Sequence, residues 1–206
     1  PVDCLAKNAE VAARLPSLLR TVLVSYVDEA SEATAIAHGV RWVDFLAPFA
    51  VDDIDFVPLP FEHPLFIMFS SGTTGVPKCI VHCHGGALLQ HLKEHQLHGD
   101  LRTGDRIFYF TTCGWMMWNW LVSALASQAT LLLFDGSPFV RTASGQAGTI
   151  LFDYADAERM THFGTSAKFI DAIAKNGLQP RLSHRLEDLR VMFSTGSPLA
   201  PESFDY

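Results

Sequence analysis

Ten consecutive residues, Phe69-Ser70-Ser71-Gly72-Thr73-Thr74-Gly75-Val76-Pro77-Lys78, gather four hydroxyls, two glycines and a lysine between two apolar runs. That set suits a ligand made of anionic oxygens. Gly72 and Gly75 let backbone N–H groups turn inward or approach closely, the hydroxyls of Ser70, Ser71, Thr73 and Thr74 donate to phosphate oxygens, and Lys78 adds a point charge. The stretch is not the loop in which Gly-Lys-Ser/Thr opens a helix, because Pro77 precedes the lysine and β-like Cys79-Ile80-Val81 follows it. Phosphate binding by a helix dipole is therefore not the route here. Ser and Gly are also ordinary turn formers, and a shorter loop of this kind would read as a plain hairpin turn. The complete string favours the phosphate cradle.

Three other clusters could carry chemistry. Cys79, His82, Cys83 and His84 have the residue types of a zinc site, but on a continuous strand Cys79 and Cys83 share a face with Val81 while His82 and His84 point the other way. Without a turn they cannot converge, so no metal site is assigned. Trp115, Met116, Met117, Trp118 and Trp120 must cover more than one face of a helix, which fits either core or the wall of a pocket. Asn119 among them wants a hydrogen-bond partner if buried, and an apolar wall with one placed polar group suits a small keto acid. His91, His95 and His98, with Lys93 and Glu94, read as a solvated helix face with no role. Arg181, Arg185 and Arg190 read as a polar edge before a strand.

The elements that must position these groups follow from hydrophobic periodicity. Helical spacing runs from Leu5 through Ala9 and Ala12 to Leu15, ended by Pro16. Strands are expected at 21–27, 65–69, 78–82, 107–110, 129–134, 161–163 and 189–193. Helices are expected from Gly85 onward, at 115–128, 152–160 and 166–175, and after Pro201. The segment 135–148 is a small-residue loop. Strands alternating with helices argue for an α/β sheet with covering helices.

With 206 residues, 49% of them hydrophobic, the chain can bury a core of one domain or slightly more. Fifteen Lys and Arg against 22 Asp and Glu leave a net charge of −7, which disfavours nucleic acid as a partner and favours small molecules. The longest uncharged stretch, 107–134, is interrupted by polar residues, so no membrane span is expected. Four sparse cysteines without a leader-like segment suit a reducing cytoplasm. The start at Pro1 without Met and the stop within a helical turn after Pro201 lead us to expect an internal piece of a longer protein. Expressed alone, such a piece is expected to aggregate.

On the string from Phe69 to Lys78 the chain resembles the adenylate-forming acyl-CoA ligases, whose signature loop is Tyr/Phe-Ser/Thr-Ser-Gly-Thr-Thr-Gly-x-Pro-Lys. Every position matches. Within that family, Gly114-Trp115-Met116-Met117-Trp118-Asn119, Thr161-His162-Phe163-Gly164-Thr165-Ser166 and Ser194-Thr195-Gly196-Ser197-Pro198-Leu199-Ala200-Pro201-Glu202-Ser203-Phe204 look like the acetoacetate-activating branch. The resemblance implies an α/β fold of sheet-and-helix subdomains, with residues 1–206 as the central part of the AMP-binding large domain, cut at both ends. It implies that Ser70, Ser71, Gly72, Thr73, Thr74, Gly75 and Lys78 hold the pyrophosphate end of ATP, and that Gly196, Ser197 and Pro198 lie beside the adenine. Trp115, Met116, Met117, Trp118 and Asn119 would line the acyl pocket. Lys78 would be a mobile phosphate clamp, not a general base.

The implied reaction joins acetoacetate to ATP as acetoacetyl-AMP with loss of pyrophosphate, and then transfers the acyl group to coenzyme A. Family members carry an aromatic-Gly-Thr-Glu segment for adenine and Mg²⁺, a ribose-binding Asp, a hinge and a small C-terminal domain with the adenylation lysine. All of these would lie beyond Tyr206, so no catalytic residue and no Mg²⁺ ligand is assigned within the chain. Two other outcomes stay open: a ligase for acetate, propionate or another short acid, and a noncatalytic truncated product.

Overall fold

Alternating apolar and polar residues build strands that are half-covered, and continuous apolar runs build strands covered on both faces. Both kinds occur in the computed structural model of the chain, which describes residues 3–26, 32–50, 53–70, 75–140 and 147–206. The chain divides into two units, Pro1–Val57 and Pro58–Tyr206.

In the first unit, helix α1 (Leu5–Ala13) turns Leu5, Ala9 and Ala12 inward, the spacing expected of one helix face. Strand β1 (Thr21–Leu23) pairs in parallel with β2 (Gly39–Arg41), and α2 (Trp42–Leu46) follows directly. The expected strand at 21–27 is thus shorter, because β1 extends only as far as its three-residue partner; Val27 lies outside the described residues. A Cβ on Gly39 would overlap the Ala33 carbonyl, so only glycine lets β2 pass the 3-10 turn Ala33–Ala35.

The second unit opens with an antiparallel hairpin of β3 (Pro64–Ser70) and β4 (Lys78–Cys83). Helix α3 (His84–Leu92) continues into a π-helical turn, Lys93–His98. Then come β5 (Arg106–Tyr109), α4 (Met116–Ser123) with a closing 3-10 turn Ala124–Ser127, and β6 (Thr130–Leu132). The remainder is α5 (Ile150–Ala157), β7 (His162–Ser166), α6 (Ala167–Lys175), α7 (Pro180–Ser183) and β8 (Val191–Thr195), followed by a 3-10 turn Pro201–Ser203. The four strands β6-β5-β7-β8 form one sheet, all parallel, each joined to the next by a segment containing a helix. This is the α/β arrangement anticipated from the alternation of strand and helix patterns.

The sheet is covered on both faces. Phe108 points with Phe163 and Leu132 into a core completed by Leu151, Phe152 and Phe169 from α5 and α6. Its neighbours Ile107 and Tyr109 point the other way, into a second core with Trp120, Leu121 and Ala124. Helix α6 starts where Ser166 Oγ accepts from the Phe169 N–H at 3.2 Å, and it buries Phe169, Ile170 and Ile173 along one face.

The Trp-rich helix ends at Ser123, earlier than the expected 128, because the chain tightens into a 3-10 turn and Gln128 then takes φ +58°. The strand expected at 161–163 runs on to Ser166, paired with β8 along its length. His95 is fully buried, against the expectation of a solvated face, because the π-helical turn shifts it inward. Its Nε2 bonds the Trp120 carbonyl at 2.9 Å, and burial pushes the imidazole below its ordinary value.

Candidate functional site

The hairpin register sets the phosphate-loop candidates in place. Ser70 stands opposite Lys78, Phe69 opposite Cys79, and Met68 opposite Ile80. Directly opposed residues share a face, so Ser70, Lys78, Met68 and Ile80 belong together. Along β3 that face is the half-buried one, carrying Phe66, Met68 and Ser70, while Leu65, Ile67 and Phe69 are exposed. The Asn119 Nδ2 group of α4 donates to Met68 Sδ at 3.4 Å, which identifies this face as the one turned toward α4. Ser71, Gly72, Thr73 and Thr74 lie outside the described residues. Gly75 takes φ +121° with nothing near its missing Cβ, so its need for glycine is conformational. Lys78 then opens β4 immediately after Pro77, which has no N–H to give to a ladder.

The second set of candidates lies at the carboxyl edge of the parallel sheet. Neighbouring strands β5 and β7 send their chains to opposite sides, since β6 lies beyond β5 and β8 beyond β7. Ligands of open α/β sheets lie outside the carboxyl ends at such a reversal. Tyr109 Oη ties the two strands there, donating to the Thr165 carbonyl at 2.9 Å. Gly196, with φ +92°, follows the last residue of β8, and Gly196, Ser197 and Pro198 are all exposed. The hydroxyls of Thr165 and Ser194 are buried at this edge without a hydrogen-bond partner among the described residues.

The Trp/Met segment divides between two roles. A cavity of about 330 Å³ lies between the hairpin and helices α3 and α4, with Met68, Glu94, Met116, Asn119 and Trp120 in its wall. A second, of about 440 Å³, is walled by Glu94, Tyr109, Met116, Met117, Trp120 and Thr195. Met116 and Asn119 line the first cavity, and Met116 and Met117 the second. Trp115 is 62% exposed ahead of α4, and Trp118 is partly buried against the sheet core. Glu94, to which sequence reasoning gave no role, and Trp120, which it read as core or pocket wall, line both cavities. His91 also borders the first cavity; burial, with His82 facing it, pushes its imidazole below the ordinary value despite nearby Glu94.

Cys79 and Cys83 end up on β4, and His84 opens α3. Among the described residues no group of three or more His, Cys, Asp or Glu side chains stands together as a metal site. Nor is any helix among them long and apolar enough to cross a membrane.

Comparison with known proteins places this geometry in context. The profile of the AMP-binding enzyme family matches residues 2–205. The acetoacetyl-coenzyme A synthetase of Rhizobium meliloti (strain 1021) is 59% identical over 187 residues, covering 90% of this chain and 28% of that protein. The acetoacetyl-CoA synthetase of Mus musculus is 47% identical, covering 98% and 30%. A malonamoyl-CoA synthetase of Penicillium aethiopicum is 43% identical, again covering 98% and 30%. Among solved structures, acetoacetyl-CoA synthetase from Streptomyces lividans superposes with a TM-score of 0.85 at 37% identity, covering 98% of this chain and 30% of the other. The chain thus spans less than a third of the length of these relatives.

Proposed function

We propose, for a chain that belongs to the AMP-binding enzyme family, that it is the central part of the large domain of an acid-thiol ligase converting acetoacetate to acetoacetyl-CoA. A carboxylate oxygen of acetoacetate attacks the α-phosphorus of ATP and pyrophosphate leaves. The thiolate of coenzyme A then attacks the acyl carbon of acetoacetyl-AMP, and AMP departs with the bridging oxygen. The first step concentrates charge on the leaving pyrophosphate, and preorganised N–H, hydroxyl and ammonium donors lower its barrier most. Ser70, Ser71, Gly72, Thr73, Thr74, Gly75 and Lys78 supply those donors; Gly196, Ser197 and Pro198 lie beside the adenine.

The observation that carries this reading is the complete ten-residue string together with the hairpin pair Ser70 and Lys78, which share the face turned toward Asn119 and α4. This neighbourhood supports a phosphate clamp beside a small acid pocket. Asn119 fits the β-keto oxygen, because a thioether is a weak acceptor that its amide exchanges readily for a carbonyl. The relatives named for acetoacetyl and malonamoyl groups support this, since both acyl groups carry a second carbonyl at the same distance from the carboxyl carbon.

Mg²⁺ would accompany ATP in such chemistry, neutralising phosphate charge, and the resemblance implies that its protein ligand lies outside this chain. Four cysteines in 206 residues are sparse, and that usage suits a reducing cytoplasm.

The test is a panel of short acids offered with ATP and coenzyme A to the full-length protein, with the thioester identified by mass. Acetoacetate should exceed acetate and propionate in kcat/KM by about tenfold or more, the discrimination a dedicated polar contact supplies. A preference for acetate or propionate would overturn the assignment, and no thioester from any acid would mean a noncatalytic product.

A further inference from the structure

Trp120 is held more firmly than a core residue needs to be. Its ring meets Tyr109 and Phe193 edge-on, at 5.9 and 5.3 Å between centroids, and the buried imidazole of His95 lies 4.1 Å from it. Its Nε1–H donates to Glu94 Oε2 at 2.8 Å, while the other Glu94 oxygen accepts from Gln90 Nε2 at 2.6 Å. Successive residues of an α-helix point in different directions, so Glu94 and His95 would not both reach one indole. The π-helical turn Lys93–His98 brings them there, and such turns are frequent at functional sites. The indole so fixed stands in the wall of both cavities beside α4, with Glu94 and Met116 as the other shared lining.

We propose that Glu94 is a positioning residue which, through its hydrogen bond to Trp120, fixes the indole as the partition between the two cavities and thereby sets the length of acid accepted. The inference rests on the reading of α4 as the acyl-pocket wall. With the indole pinned, a four-carbon keto acid occupies one cavity and a longer chain meets the ring. With the carboxylate gone, the indole N–H is left unpaired in an apolar setting, the ring turns, and the two spaces join.

The experiment uses the full-length enzyme with acetoacetate and 3-oxohexanoate as competing acids. Glu94→Leu removes the acceptor; it should raise the KM for acetoacetate about tenfold and admit the longer acid, leaving the KM for ATP within about twofold. Glu94→Gln keeps an acceptor and should restore most of the discrimination. Trp120→Phe removes the donor but keeps a ring, and combining it with Glu94→Leu should add nothing further, since both act on one hydrogen bond. Unchanged selectivity in Glu94→Leu, or full additivity with Trp120→Phe, would overturn the proposal. If Glu94→Leu does not fold, Trp120→Phe alone carries the test, and unaltered acid selectivity there overturns it. Trp120→Ala separates the two levels: if it shifts selectivity while the Glu94 variants do not, the acyl-wall reading stands and the positioning role is wrong. If Trp120→Ala leaves selectivity intact, the acyl-wall reading fails and the inference falls with it.

Discussion

Replacing Lys78 with Ala in the full-length protein is expected to slow pyrophosphate release in the adenylation half-reaction by about 100-fold or more. Thioester formation from preformed acetoacetyl-AMP should change by less than about threefold. The asymmetry follows from where charge develops. Pyrophosphate leaves only in the first step, and an ammonium held against it stabilises that transition state more than the bound ATP. Lys78 is exposed at the first position of β4, so truncating it leaves no buried group unpaired and should not disturb the hairpin. Lys78→Arg keeps the charge but replaces a compact ammonium by a planar fork, and an intermediate loss is expected. Equal losses in both half-reactions would mean that Lys78 works through folding or domain closure, not through the leaving group.

The largest stability effect is expected at Gly164. This residue lies on β7 directly opposite Tyr109 of β5, and a Cβ there would overlap the Tyr109 ring. Gly164→Ala must therefore push the ring aside, breaking the Tyr109 Oη bond to the Thr165 carbonyl and the edge contact with Trp120. Overpacking of a core costs about 1–3 kcal/mol, and a lost buried hydrogen bond about 1 kcal/mol more. A loss of about 3 kcal/mol is the expected sum, read as a lower denaturant midpoint at unchanged slope in the full-length protein. Gly114→Ala is the control, since the nearest atom to its missing Cβ is Thr112 Oγ1 at 3.8 Å, and it should fall within about 0.5 kcal/mol of the parent. Comparable losses in the two variants would show that Tyr109 does not pack over β7 in this way.

Much of the architecture follows from local pattern. Pro77 and the glycines, set between apolar runs, mark the hairpin, and Ser166 followed by Phe169, Ile170 and Ile173 marks α6 with its cap. What was hidden depends on partners distant in sequence. Gly39-Val40-Arg41 has no β-rich run of its own and becomes β2 because β1 lies beside it. The spacing of His91, His95 and His98 reads as one solvated stripe under a 3.6-residue period, and the π-helical turn breaks that period, so His95 is buried and Glu94 faces Trp120. The same dependence divides the Trp/Met segment. Nothing local distinguishes Trp118, partly buried against the core, from Trp120, which is buried in that core and also walls two cavities; the sheet beneath α4 decides.

The phosphate-loop proposal rests on residue type. Of its residues, Ser70 and Lys78 pair at the end of the hairpin ladder and Gly75 takes φ +121°, while 71–74 lie outside the described residues.

The measurement that bears most directly on the proposed ligase follows the acid's own oxygen. Acetoacetate carrying heavy oxygen in its carboxylate is turned over by the full-length protein with ATP and coenzyme A, and the nucleotide product is analysed by mass. If the carboxylate attacks the α-phosphorus, the product is AMP bearing one heavy oxygen, and the pyrophosphate is unlabelled. ADP with labelled inorganic phosphate, or AMP without label, would contradict an adenylate intermediate and with it the role given to the loop from Ser70 to Lys78.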